Sequence, residues 1–259
     1  MLKDYTYSGE NYFSINESIT FDFNGHKFTT EKSGAFDIGE NLKETDPKAN
    51  VVLKNGTLDT FKWGAWVENC ARLTVEDDFT IIANRAKAKN YAGIAVVGTG
   101  STLNLNGTVK VAGDTNAVSG NGTKGLGGVV ININDSAVIE CLEGNGVYMP
   151  HTSELNIGAA HITGKTAVYL RAGVTTINGA TLVATGEKTD YSFVSGSQEP
   201  TGDAIVVNSV DYPGGAPTLN LVAATITTAH GTEIAVYKVS SVDATINNST
   251  SYVPQYFNA

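Results

Sequence analysis

The chain is poor in charge, in cysteine and in sustained helical periodicity, and each shortage removes a class of protein. Only 17% of its 259 residues are charged while 41% are hydrophobic. Global disorder needs the opposite balance and is excluded. The two cysteines, Cys70 and Cys141, are too few in a chain of this length for a disulfide framework. The 17 basic residues are outnumbered by 26 acidic ones, for a net charge of −9. Such a surface repels a nucleic-acid backbone, so no nucleic-acid partner is expected. The one short basic run, Arg85, Lys87 and Lys89, reads as a solvated loop.

No apolar run approaches the length of a membrane span. No basic stretch followed by an apolar one succeeds Met1, so no signal peptide is expected. The expectation is either an excised part of an exported protein or a component assembled in the cytoplasm, as virion components are. A 3.6-residue period is weakly present only over residues 84–91, which argues against helices.

What is abundant is glycine, 28 residues against 6 prolines, together with asparagine at turns. The two recur in a fixed context: apolar, polar, apolar, then a turn pair. Copies are Phe21-Asp22-Phe23-Asn24-Gly25, Val52-Leu53-Lys54-Asn55-Gly56, Leu73-Thr74-Val75-Glu76-Asp77 and Leu103-Asn104-Leu105-Asn106-Gly107. Further copies are Ile131-Asn132-Ile133-Asn134-Asp135, Leu155-Asn156-Ile157-Gly158, Thr175-Thr176-Ile177-Asn178-Gly179 and Leu219-Asn220-Leu221. Most spacings are about 20–30 residues, the length of one solenoid turn. The interval from Ile177 to Leu221 is longer and requires an insertion.

Other strand-like stretches follow each copy, among them Gly146-Val147-Tyr148-Met149, Ala167-Val168-Tyr169-Leu170, Ala204-Ile205-Val206-Val207 and Ala235-Val236-Tyr237. Short alternating runs bounded by Gly, Asn or Asp are strands, and Asn and Gly accept left-handed corner angles cheaply. Asn-Gly is also the strongest hairpin cue. Here the pairs sit at one phase of a longer unit, which favours stacked parallel turns over an antiparallel sandwich.

The reading is therefore an all-β, single-stranded right-handed parallel β-helix (solenoid) of about eight rungs. Its expected parts are a cap or partner-contacting segment over 1–16, the solenoid over 17–250 and a C-terminal cap over 251–259. Lateral loops are expected at about 113–128 and 185–202. Such a stack sets Cys70 and Cys141 at least two rungs apart, roughly 10 Å at 4.8 Å per rung, too far to bridge. Caps matter because an open stack exposes an unpaired strand edge at each end.

Over about residues 17–250 these elements resemble the pectate-lyase-like right-handed β-helix superfamily. Within it they look most like phage fibres, phage tailspikes and bacterial surface adhesion domains. The resemblance implies a fold rather than an activity. It also implies a homotrimer, the usual state of the phage members.

Enzymes of that superfamily act on acidic polysaccharides, and their residue sets do not assemble here. The hydrolase pattern ends in Gly-His-Gly and then Arg-x-Lys. In this chain Asp77-Asp78 and His230-Gly231 lie five or more repeats apart, and Arg85-Ala86-Lys87 follows the aspartates directly. At roughly 20 Å or more by rung arithmetic, those groups cannot act as paired glycosidase carboxylates. A lyase would need an arginine base, and Arg171 reads as a surface ion pair with Glu143 or Asp203. Asp135, Glu140 and Glu143 share one turn without a calcium-loop spacing. His26, His151, His161 and His230 show no metal-ligand spacing. No catalytic residue, metal or cofactor is assigned.

The candidate binding residues are aromatic. Flanked by inward Val147 and Met149, or Val168 and Leu170, Tyr148 and Tyr169 point outward. Trp66 and Tyr237 share that phase, with Ala95 and Val206 in other turns. A stacked aromatic column suits subunit contact or sugar stacking; alternatively, loops cover it as a second small core. Tyr191 and Phe193, in the second loop, are added as contact residues. The expected function is a non-enzymatic, rigid scaffold on a virion (phage fibre or capsid decoration) or a cell surface, mediating attachment as a homo-oligomer. The alternatives are a β-helix polysaccharide lyase or glycoside hydrolase, and a glycan-binding module.

Overall fold

The computed structural model of the chain describes residues 1–43, 45–87, 91–189, 199–210 and 215–258. These form an all-β molecule whose strands join one 24-stranded sheet. The strands fall into three stacked columns, each pairing in parallel with the strand above and below. Column A runs through Tyr5–Tyr7, Lys27–Thr30, Gly56–Asp59, Phe79–Ala83 and Thr108–Val111. It continues through the first parts of Val138–Met149 and His161–Leu170, then the last parts of Val174–Ala184 and Thr218–Thr228.

Column B holds Phe13–Ile15, Phe36–Ile38, Ala65–Val67, Ile94–Val96 and Asn116–Gly120. The last parts of Val138–Met149 and His161–Leu170 follow, then Ile205–Ser209, Ile234–Lys238 and Gln255–Asn258. Column C stacks the repeated motif, from Ile19–Asp22 and Asn50–Lys54 to Thr245–Asn248. The chain visits C, A and B in turn and then returns to C.

The motif's alternation explains the packing. Leu53, Val75, Leu105, Ile133, Ile157, Ile177 and Leu221 occupy one register row and are all buried. Each such side chain contributes about 1.5–3 kcal/mol by leaving water. The intervening asparagines face outward and bond along the stack. Asn132 Nδ2 donates to Asn104 Oδ1 at 2.9 Å, and Asn156 Nδ2 to Asn132 Oδ1 at 3.0 Å. Asn24, Asn55 and Asn84 hold positive φ at corners, the conformation asparagine tolerates best after glycine.

Strands also occur in three places that the sequence reading left as end segments or loop. Within 1–16, Tyr5–Tyr7 and Phe13–Ile15 are ladder strands, pairing in register with Phe28–Thr30 and Phe36–Ile38. Their aromatic alternation is strand alternation. The segment expected as a loop over 113–128 contains the column B strand Asn116–Gly120, whose small polar residues disguise it. The closing segment pairs as Gln255–Asn258 on column B. On the way, Tyr252 Oη accepts the amide of Ile226 at 2.9 Å, satisfying an edge donor of column A.

Cys70 and Cys141 are both free thiols, Cys141 buried. No helix of the described residues is long and apolar enough to cross a membrane.

Candidate functional site on the outer face of column B

Side chains alternate along column B, so every second residue faces away from the main core. The register gives one continuous outward row: Ser14, Asp37, Trp66, Ala95, Ser119, Tyr148, Tyr169, Val206, Ala235 and Gln255. Trp66, Ala95, Tyr148, Tyr169 and Val206 therefore stack as their phase requires. Tyr237 does not. It pairs with Asn208 and Phe257, one side-chain period further along. Ile234 takes the inward place of Val168 and Ile205, which puts Ala235 in the tyrosine row.

The tyrosines are not an exposed column. Tyr148, Tyr169 and Tyr237 are 5%, 1% and 3% accessible and form a second small core with Val206 and Ala235. Two cations help close it. Arg171 is itself buried, against the expectation of a surface ion pair, and its Nη1 donates to Tyr148 Oη at 3.2 Å. Lys188, from the lateral loop, places Nζ 2.7 Å from both oxygens of the fully buried Asp203 and 2.7 Å from Tyr237 Oη. Its ammonium also lies over the ring of Phe257, 4.8 Å from the centroid. Asp203 further accepts from Tyr237 Oη, Thr201 Oγ1 and the Thr232 amide. Tyr191 and Phe193 lie outside the described residues.

The opposite end of the same face is acidic and partly open. Trp66 packs, as Leu126 does, on the small cluster of Ala92, Ala95 and Val97, and its Nε1 donates to Glu68 Oε2 at 3.2 Å. Asp37, beside it in the row, is 8% accessible, and its Oδ1 has no hydrogen-bond partner. Burial above all, and then the charges of Glu68 and Glu40, push its carboxyl up to about 7. Burial also raises Glu68, against the indole hydrogen bond and with the charge of Glu40.

Tyr12 donates its hydroxyl to Glu40 Oε1 at 2.5 Å. That bond first, with the charges of Glu40, Asp37 and Glu68, holds the phenol at about 12. The Tyr12 ring is tilted against Trp63, with centroids 5.3 Å apart. Asp37, Glu40, Glu68 and Trp63 were not among the residues singled out from sequence, and Tyr12 belonged only to the expected N-terminal cap. The signal was there: Phe36-Asp37-Ile38 has the phase of Ala65-Trp66-Val67.

The residues weighed for polysaccharide chemistry do not converge. Asp78 accepts the Asn55 amide at 2.7 Å at an early corner, while His230 sits 3.1 Å from Glu187 beside the late loop. Arg85 bonds Thr30 O and pairs with Asp59. Asp135 accepts the Ala159 amide, and Glu143 pairs with Lys165. Among the described residues, no group of three or more His, Cys, Asp or Glu is placed to hold a metal ion. No family model, curated protein or solved structure matches the chain.

Proposed function

We propose that this protein is a non-enzymatic structural and interaction protein. It is a right-handed parallel β-solenoid, its columns nine or ten strands deep rather than the eight rungs expected, displayed on a virion as a fibre or capsid decoration, or on a cell surface. There it mediates attachment as a homo-oligomer. The hand follows from the near-universal preference of parallel crossovers for the right-handed connection. Stiffness follows because interior turns bond to a turn on either side, with no antiparallel hinge between them.

One observation carries the oligomeric part of this reading. The two ends of the stack differ. Tyr252 closes the trailing end of column A, whereas the leading end is an open cavity of about 810 Å³ lined by Tyr5, Phe13, Ile15, Phe21, Phe28 and Phe36. Leu2, Tyr5, Phe13 and Ile19 are exposed around it. Apolar edge surface of this kind invites a further chain. A second copy of this chain is the occupant proposed here.

Sedimentation of the wild-type chain against a Leu2→Ser/Phe13→Ser variant tests the assembly. An oligomer that the variant dissociates supports it, with the trimer as the order the resemblance implies. A wild-type monomer at all concentrations overturns it. Immunogold labelling of purified virions and of intact cells tests the display; label on neither removes the attachment role.

A further inference from the structure

We propose that Asp37, Glu40 and Glu68, together with Tyr12, Trp63 and Trp66, form a binding site for an organic cation carrying an ammonium or guanidinium group. The site goes beyond the scaffold reading and does not depend on how or where the rod is displayed.

Asp37 Oδ1 is a buried acceptor with no hydrogen-bond partner. Such an atom has lost water without gaining a partner. Its position in the outward row, between Ser14 and Trp66, aims it at the outer face rather than the core. The charged groups that act on Asp37 are Glu68 and Glu40, both acidic. From the other strand stacked on it comes Ser14, and from the wall beside Glu40 comes Tyr12. Among the described residues no lysine or arginine pairs with Asp37, Glu40 or Glu68. The site therefore gathers acidic side chains around one buried acceptor that has no partner from the chain.

The choice between a metal and an organic cation follows from spacing and from the rings. The acidic side chains are not grouped closely enough to hold a metal ion. An ammonium or guanidinium needs dispersed acceptors and gains from aromatic faces. Trp66 is half-buried and Tyr12 is 40% accessible, while Trp63, against which Tyr12 packs, is buried.

The chain also supplies its own precedent. At the far end of the same face Lys188 binds the buried Asp203 and the Tyr237 hydroxyl while lying over the ring of Phe257. Acid and ring recur at Asp37 and Trp66 without a cation from the chain. The same pairing rules that seat Lys188 would seat a ligand's ammonium there.

Tryptophan fluorescence titration of the full chain with two probes, spermidine and a lysine pentapeptide amide, tests the site at matched ionic strength. Saturable binding is expected, weakened about tenfold or more by Asp37→Asn, the loss of one charge-assisted hydrogen bond. Trp66→Leu should weaken it too, read by calorimetry, whereas Glu187→Gln at the distant His230 pair should leave it unchanged. Affinity should rise between about pH 6 and pH 8 as the Asp37 carboxyl ionises.

Binding of spermidine alone identifies a free polyamine as the ligand, and binding of the peptide alone a basic partner chain. No saturable binding overturns the proposal. So does binding that calcium chloride reproduces, or that Asp37→Asn, still folded by circular dichroism, leaves intact.

Discussion

The ammonium of Lys188 bridges both carboxylate oxygens of Asp203, at 2.7 Å to each, across fifteen residues of chain that include the lateral loop. Asp203 is fully buried, while the lysine side chain keeps about a third of its surface in water. The pair therefore does two jobs. It neutralises a carboxylate under the tyrosine cluster, and it fastens the loop to the coil.

Removing the acid should cost more than removing the base. Asp203→Ala deletes the acceptor of the Lys188, Tyr237, Thr201 and Thr232 donors at once. A loss of about 3–5 kcal/mol is expected, the range for breaking a buried pair. Lys188→Met leaves the carboxylate three hydrogen bonds and should cost about 1–3 kcal/mol. Urea unfolding of both variants measures the difference; equal losses would show that the three neutral donors contribute nothing.

Two copies of the same Asn-Gly pair should respond to alanine for different reasons. Gly25 has φ of +78° with open space around a would-be Cβ, so Gly25→Ala should cost about 1 kcal/mol of backbone strain. Gly107 has an ordinary φ, but its Cβ would fall 2.3 Å from Glu76 O and 2.4 Å from Phe79 O. Those are backbone atoms of the turn below and cannot swing aside. Gly107→Ala should cost about 1–3 kcal/mol as overpacking. Thermal melts of the two variants test this, and a Gly107→Ala protein as stable as wild type would mean that the turns separate freely.

The coil was legible because its determinants are local. Leu103-Asn104-Leu105 states its own alternation, and Asn24, Asn55 and Asn84 mark corners wherever they occur. The positions of Tyr148 and Tyr169 were legible for the same reason. Their cover was not, because Lys188 arrives from a loop and Arg171 from just beyond the neighbouring strand, and no sequence period predicts either. Tyr237 misled because Ala235-Val236-Tyr237 looks like Ala167-Val168-Tyr169. Register is set by which large apolar residue fills the inward place, and here Ile234 fills it. Asp37 was legible in phase but not in meaning. An acid between two apolar residues reads as a wet strand face until its burial is known.

The two thiols should differ sharply in reactivity. Cys141 is buried with its Sγ 3.6 Å from Gly113 O. Burial foremost pushes its thiol up to about 12, against two backbone hydrogen bonds that act the other way. Only the thiolate attacks, so native Cys141 should stay silent towards a thiol reagent up to about pH 9. Cys70 is partly accessible and should label. One thiol per chain is expected before denaturation and two after; two in the native state would place Cys141 in a site that opens readily.

Asp37 should make stability fall as pH rises through the weakly acidic range. Its folded carboxyl is raised from 3.8 to about 7, so between those values the folded chain holds a proton that the unfolded chain has released. Stability then declines with pH over that window and levels off above it. Three units would correspond to about 4 kcal/mol, and water reaching the outer face reduces this, so roughly 2–4 kcal/mol is expected. Asp37→Asn removes the titrating group while keeping the shape. The variant should match wild type near pH 4 and exceed it near pH 8, as read by urea midpoints across that range. Parallel profiles for the two proteins would mean that Asp37 ionises normally, and the electrostatic case for a cation at this site would fall with it.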